Sequence, residues 1–183
     1  MEHFDLSFMA LIVASAASAL SLAAGPESLQ VELIDKKGSP VGTVTLTELN
    51  NGVKIQVEAH GLKPGKHGFH IHENAHCAIP DFKSAGEHLA MKGSKHGYDM
   101  INGPHQGDLP NLVVSSDGEA HAEIINNDVT LKDGAKSLFR SGGVSFVLHE
   151  GADDYLSQPA GNSGGRVACA ELRSANRQSA SLR

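Results

Sequence analysis

The chain has 183 residues, 40% of them hydrophobic, with no tryptophan, two tyrosines, twenty glycines and seven prolines. That length and apolar share suit one domain around a single core, and the glycines and prolines predict frequent turns. The formal charge of −6 is spread over intermixed acids and bases rather than basic blocks, which argues against nucleic acid as a partner.

From Phe8 to Ala24 the run "FMALIVASAASALSLAA" carries no charge and is rich in small residues. This is the pattern of a secretory signal peptide, with A-x-A-like cleavage options after Ala16 or Ala19 and an S-x-A option after Ala23. The preceding "MEHFDLS" holds Glu2 and Asp5 but no Lys or Arg, whereas export signals normally begin with positive charge. An uncleaved anchor is the alternative, since about 17 apolar residues lie at the lower edge for a membrane span. The expectation is a signal peptide over 1–24, a domain over 25–173 and a polar C-terminal tail over 174–183. The product is exported to the periplasm, the cell surface or the medium, with no membrane contact after cleavage. Losing Glu2 and Asp5 leaves a formal charge of −4.

Strand patterns follow in chain order. "LQVELID" from Leu29, "VGTVTLTEL" from Val41 and "VKIQVEA" from Val53 alternate apolar and polar residues, and Asn51-Gly52 between the last two is a strong hairpin signal. Further strands are predicted at Gly68–Glu73, Leu112–Ser115, Ala120–Ile125, Val144–Leu148 and Arg166–Ala170. Short strands at this spacing, without a long amphipathic helix, predict an all-β fold: an antiparallel barrel or sandwich of about eight strands. Two long segments interrupt it, from about Asn74 to Pro110 and from about Glu150 to Gly165. Loops of that length in a compact domain usually carry function or are disordered.

The stretch "HGFHIHENAHC" puts four histidines and one of two cysteines into eleven residues. His70 and His72, with Phe69 and Ile71 interleaved, have the period of a half-buried strand and would aim both imidazoles to one side. The first long loop adds His88, His96, His105 and Asp108, at spacings of 8, 9 and 3. Three nitrogens and one carboxylate oxygen are a tetrahedral zinc set, while copper(II) favours a roughly planar set of nitrogens. His149, ending "GGVSFVLH", is a natural third partner for His70 and His72. Seven candidate ligands exceed what one ion uses, so two metals are expected. His3, His60, His67, His76 and His121 lack such company and are read as structural or exposed. Cys77 and Cys169 suit one disulfide in an exported chain, two buried thiols being the alternative. Closing that 92-residue separation would be worth about 4 to 5 kcal/mol by chain entropy.

Through "GFHIHE", "SAGEH", "KHG", "GPHQGDLP", "LHEGADD" and "GNSGGRVAC", the chain resembles the copper/zinc superoxide dismutase family from about Leu29 to Glu171, and its bacterial exported branch in particular. The resemblance implies a Greek-key β-barrel with two long functional loops. It also implies copper on His70, His72, His88 and His149, and zinc on His88, His96, His105 and Asp108, with His88 shared as an imidazolate. Asp153 matches the aspartate that bonds ligands of both metals, Cys77 and Cys169 match the family disulfide, and Arg166 matches the arginine beside copper. Superoxide is then the substrate, disproportionated to dioxygen and hydrogen peroxide, with His88 and Arg166 as catalytic residues. Zinc is structural, and a homodimer is one state in which family members occur. The chain departs from the pattern in two places. "EHLAMKGSKHG" lacks the Asn-Pro or Asp-Pro that often follows the bridging histidine, and the segment between Asp154 and Arg166 has no charged residue, leaving Lys92 and Lys95 as candidates for steering. A scaffold that binds metal without catalysis is the competing class; retention of every copper ligand and of Arg166 argues against it.

Overall fold

Alternation of apolar residues sets the frame of the described residues, 28–176, in a computed structural model. Leu29, Val31 and Leu33 of β1 (Ser28–Asp35), Val44 and Leu46 of β2 (Pro40–Leu49), and Val53, Ile55 and Val57 of β3 (Gly52–Ala59) turn to one buried cluster. Then come β4 (Gly65–His67), β5 (Phe69–His72), β6 (Leu112–Val114), β7 (Ala120–Asn126), β8 (Val144–His149) and β9 (Arg166–Leu172). The predicted signal segment, His3 and residues 177–183 of the predicted tail lie outside the described residues.

Seven strands form one antiparallel sheet in the order β5-β8-β9-β1-β2-β3-β7, curled into a half-barrel, and β4 pairs with β6 as a separate ribbon. The predicted hairpin joins β2 to β3, with Leu49 opposite Gly52. Gly52 has φ 151°, a backbone state that favours glycine. Nine strands stand where about eight were expected. The addition is β4, which the chain separates from β5 at Gly68: the Gly68 N–H donates to Gly151 O and its carbonyl accepts from His149 N–H, both at 2.8 Å. A Cβ at Gly68 would lie 2.8 Å from Ser163 Cβ, so only glycine fits this crossing.

The strand expected to be half-buried is buried on both faces. Phe69 and Ile71 enter the barrel core, and His70 and His72 on the other face are equally covered. The first long loop supplies the cover by running alongside β5: Leu89 N–H donates to Ile71 O and Ile71 N–H to Gly107 O, each at 2.8 Å. Bridges pair His72 with His88 and His70 with Asp108. β8 is likewise buried throughout, with Val144, Phe146 and Leu148 inward and Val147 in a second cluster with Cys77, Phe82, Ala85 and Cys169. The Cys77–Cys169 disulfide, Cα atoms 5.8 Å apart, pins the loop to β9 across that cluster. Fully burying Phe82 there contributes roughly 1.5–3 kcal/mol toward holding the loop down.

Candidate metal centre

Three elements converge on one buried spot. β5 presents His70 and His72 from alternate positions, β8 ends in His149, and the loop bridge to His72 delivers His88. Ring centroids of His70 and His88 are 4.0 Å apart, His70 and His149 4.8 Å, and His72 and His88 4.9 Å. One ring nitrogen from each of the four lies within 4.8 Å of the others.

Each ring has one nitrogen tied and one left over. His70 Nε2 meets Asp153 Oδ2 at 2.8 Å, His72 Nδ1 donates to Gly86 O at 2.9 Å and His88 Nδ1 meets Asp108 Oδ1 at 2.9 Å. His149 Nδ1 lies 3.3 Å from Gly164 O. The remaining nitrogens, His70 Nδ1 and the Nε2 atoms of His72, His88 and His149, are buried without a hydrogen-bond partner. Buried polar atoms are nearly always satisfied, so four convergent orphans fit a cation that prefers nitrogen, such as copper.

Asp108 organises the second group. Its Oδ1 lies 2.9 Å from His88 Nδ1 and from His96 Nδ1, and its Oδ2 accepts from the N–H groups of Gly97 and His105, also at 2.9 Å. The fourth member differs with the criterion. Mutual ligand-atom distances within 4.8 Å select His70 with His88, His96 and Asp108, whereas the sequence selects His105. His105 Nδ1 stands 3.4 Å from Asp108 Oδ1 and is itself an orphan. His70 Nε2 is engaged by Asp153 and its one free nitrogen already belongs to the first group, so His105 is the better fourth donor. Three nitrogens and a carboxylate then fit zinc.

Asp153 joins the two groups, with Oδ1 3.0 Å from His96 Nε2 and Oδ2 on His70. Residues that sequence reading missed hold it there. Asn111 Oδ1 accepts from Asp153 N–H at 2.8 Å while its Nδ2 donates to Asp153 O at 2.9 Å. Gln158 makes the same reciprocal pair with His96, at 3.0 and 2.8 Å. Tyr98 Oη donates to Asp108 O and Tyr155 Oη accepts from Asn111 N–H, both at 2.8 Å. Gly161, at φ 64°, lies so close that a Cβ would stand 2.6 Å from His96 Nε2. The two amide clamps span 42 and 62 residues, which leaves no local pattern to read.

Burial sets the charge states on one side and carboxylates on the other. Burial lowers His70 to about 4, His149 to about 3 and His72 well below its ordinary value, and it also lowers His88. Burial alone would lower His96 too, but Asp108 and Asp153 at its two ring nitrogens outweigh it and raise the group to about 9. Asp108 and Asp153 are pushed up by burial, yet the imidazoles they face hold both far below the usual carboxylate range.

Arg166 opens β9 half-buried, its Nη1 donating to Phe82 O at 2.7 Å and its Nη2 to Gly86 O at 2.6 Å. Lys92 and Lys95 are exposed, as are His60, His76 and His121. His67 is buried between the carbonyls of Lys63 and His149, each 2.7 Å from a ring nitrogen.

Residues 41–172 match the family described as copper/zinc superoxide dismutase. "Superoxide dismutase [Cu-Zn] 2" of Aquifex aeolicus is 46% identical over 144 residues, 78% of this chain and 84% of that protein. The corresponding Escherichia coli protein is 34% identical over 184 residues, 94% of this chain and all of that one. Among solved structures, a superoxide dismutase-like protein from Bacillus subtilis superposes with a TM-score of 0.75 at 40% identity, covering 78% of this chain and 97% of that one. The Cu/Zn superoxide dismutase of Brucella abortus gives 0.65 at 29% identity, covering 80% and 99%.

Proposed function

The chain belongs to the copper/zinc superoxide dismutase family, and from that premise we propose the following assignment: His70, His72, His88 and His149 hold copper, His88, His96, His105 and Asp108 hold zinc, and His88 serves both. The activity is that of the family: the protein is a superoxide dismutase whose cofactors are copper and zinc. The observation that carries the ligand assignment is the set of four buried, partnerless imidazole nitrogens facing one another beside an aspartate that gathers one of those rings, His88, with two more, His96 and His105.

When bound, copper supplies the one-electron couple by which two superoxide anions become dioxygen and hydrogen peroxide. The remaining work falls to side chains of this chain. Arg166 keeps a fixed guanidinium beside the copper group, tied to two carbonyls, and binds the anionic substrate. His88 would carry, at the Nε2 it otherwise offers to copper, one of the two protons that the departing peroxide takes up, and solvent would supply the other. Asp153 fixes the rings of His70 and His96 through their second nitrogens, the arrangement by which outer carboxylates orient metal-bound imidazoles.

Export is part of the same reading. It is supported by the uncharged run 8–24 and by a disulfide that persists in oxidising compartments. The protein then works in the periplasm, at the cell surface or in the medium, as a domain over 25–173 that is monomeric or a homodimer. Elemental analysis and superoxide disproportionation on one purified sample test the proposal. Near one copper and one zinc per chain, with activity that depends on copper, is expected; full loading without activity above free copper overturns it.

A further inference from the structure

The zinc group has an opening of its own. A pocket of about 320 Å³ is lined in part by His105 and Asp108 of this group and by none of the residues proposed for copper. Its lining runs from the buried Asp108 and the partly buried His105 to Ile125, Asn127 and Asp128, which are exposed and form its rim. Among the four zinc ligands His105 is the outermost. Its side chain is 11% exposed, against 0% for His96 and Asp108 and 3% for His88. At about 30 Å³ per water, the space admits a divalent ion with part of its hydration shell. Asp128 adds a carboxylate at the rim, 57% exposed and 3.3 Å from Lys136 Nζ.

We propose that zinc enters and leaves through this pocket past His105, by a route separate from the mouth through which Arg166 receives superoxide. The proposal rests on the zinc assignment above. Two physical consequences distinguish a route from a ligand. Narrowing a route slows passage in both directions and leaves the equilibrium unchanged, whereas disturbing a ligand changes the equilibrium. A carboxylate at the rim concentrates cations and speeds entry in a salt-dependent way.

The test measures zinc association and dissociation on the full chain by stopped-flow with a chromogenic chelator, in the parent and in Asn127→Trp and Ile125→Trp. These two exposed rim positions lie outside both ligand sets, and two variants guard against one that folds poorly. Both rates should fall several-fold together, with zinc affinity and copper uptake unchanged, and Asp128→Lys should slow association at low salt and lose that effect at high salt. Tryptophan variants that exchange zinc at the parental rate overturn the route, as does an equal slowing of copper uptake. A parent chain that takes up no zinc at equilibrium overturns the ligand assignment itself, which is read before any variant is compared.

Discussion

Arg166 and His72 share one acceptor: both donate to the Gly86 carbonyl, at 2.6 and 2.9 Å. The group proposed to receive the anion and a proposed copper ligand are thereby set against the same peptide. Arg166→Ala leaves that carbonyl to His72 alone, so copper should stay bound while the rate falls by up to about 10²-fold and depends less on salt. Arg166→Lys should recover only part of the rate, because an ammonium lacks the planar fork with which the guanidinium meets Phe82 O and Gly86 O through separate nitrogens. Steady-state rates against ionic strength, with copper content measured alongside, decide this; an unchanged salt profile in Arg166→Ala rules out a steering role.

Asp108 should matter to zinc far more than to copper. Its two oxygens meet two imidazoles and two backbone N–H groups of the proposed zinc loop, and of the other three histidines proposed for copper only His70 neighbours it, by a backbone bridge rather than through the carboxylate. Asp108→Ala is therefore expected to lose most zinc and retain most copper, whereas His88→Ala weakens both and loses most activity. Equal zinc occupancy in Asp108→Ala and the parent would count against the ligand set.

Asp153 tests the coupling between the groups. Asp153→Asn puts an NH2 against one of two imidazoles that now face carboxylate oxygens, so either His70 or His96 loses its acceptor. A loss of about 10- to 100-fold in metal affinity or activity is expected. Chelator competition reads it directly, and parental affinity for both metals would show that Asp153 positions neither.

In the metal-free protein, acid should destabilise the copper side. Burial holds His70 at about 4 and His149 at about 3, below the ordinary 6.5, so between those values the unfolded chain binds more protons than the folded one. Stability contributed by the neutral rings is full above pH 6.5 and is lost as pH falls toward 4 and 3. His96 does not offset this, because its contribution, raised to about 9, is already complete below 6.5 and is lost only as pH rises through 9. Thermal unfolding of the apoprotein should therefore give a Tm that is highest near neutrality and falls in both directions; a flat Tm from pH 7 to 4 contradicts the assignment of neutral rings.

The disulfide should stabilise the chain against unfolding rather than shape the metal ligands. Replacing both Cys77 and Cys169 by Ala opens a 92-residue separation and should lower apoprotein stability by about 4 to 5 kcal/mol in urea. A change well under 1 kcal/mol would mean that the cluster around Phe82 already restrains the loop in the unfolded chain.

Eight strands were legible because each alternates or ends at a turn signal; β4 was not, since Gly65–His67 has no alternation and owes its existence to β6. His70 and His72 could be read from strand period, and His88, His96, His105 and Asp108 from crowding in one loop. Asp153 and Arg166 came only from resemblance, being single polar residues with nothing unusual beside them. Asn111, Gln158 and Gly161 were invisible, because an amide clamp or a missing Cβ acquires its role only once distant segments have been folded together.

The central claim is that one imidazole, that of His88, serves both ions. It is tested most directly by loading copper(II) with cobalt(II) in place of zinc and recording the copper electron paramagnetic resonance spectrum. Two paramagnetic ions joined through His88 should couple, and the copper signal should be lost at full cobalt occupancy and return when zinc replaces cobalt. A full-intensity copper signal beside stoichiometric cobalt would contradict the shared ligand.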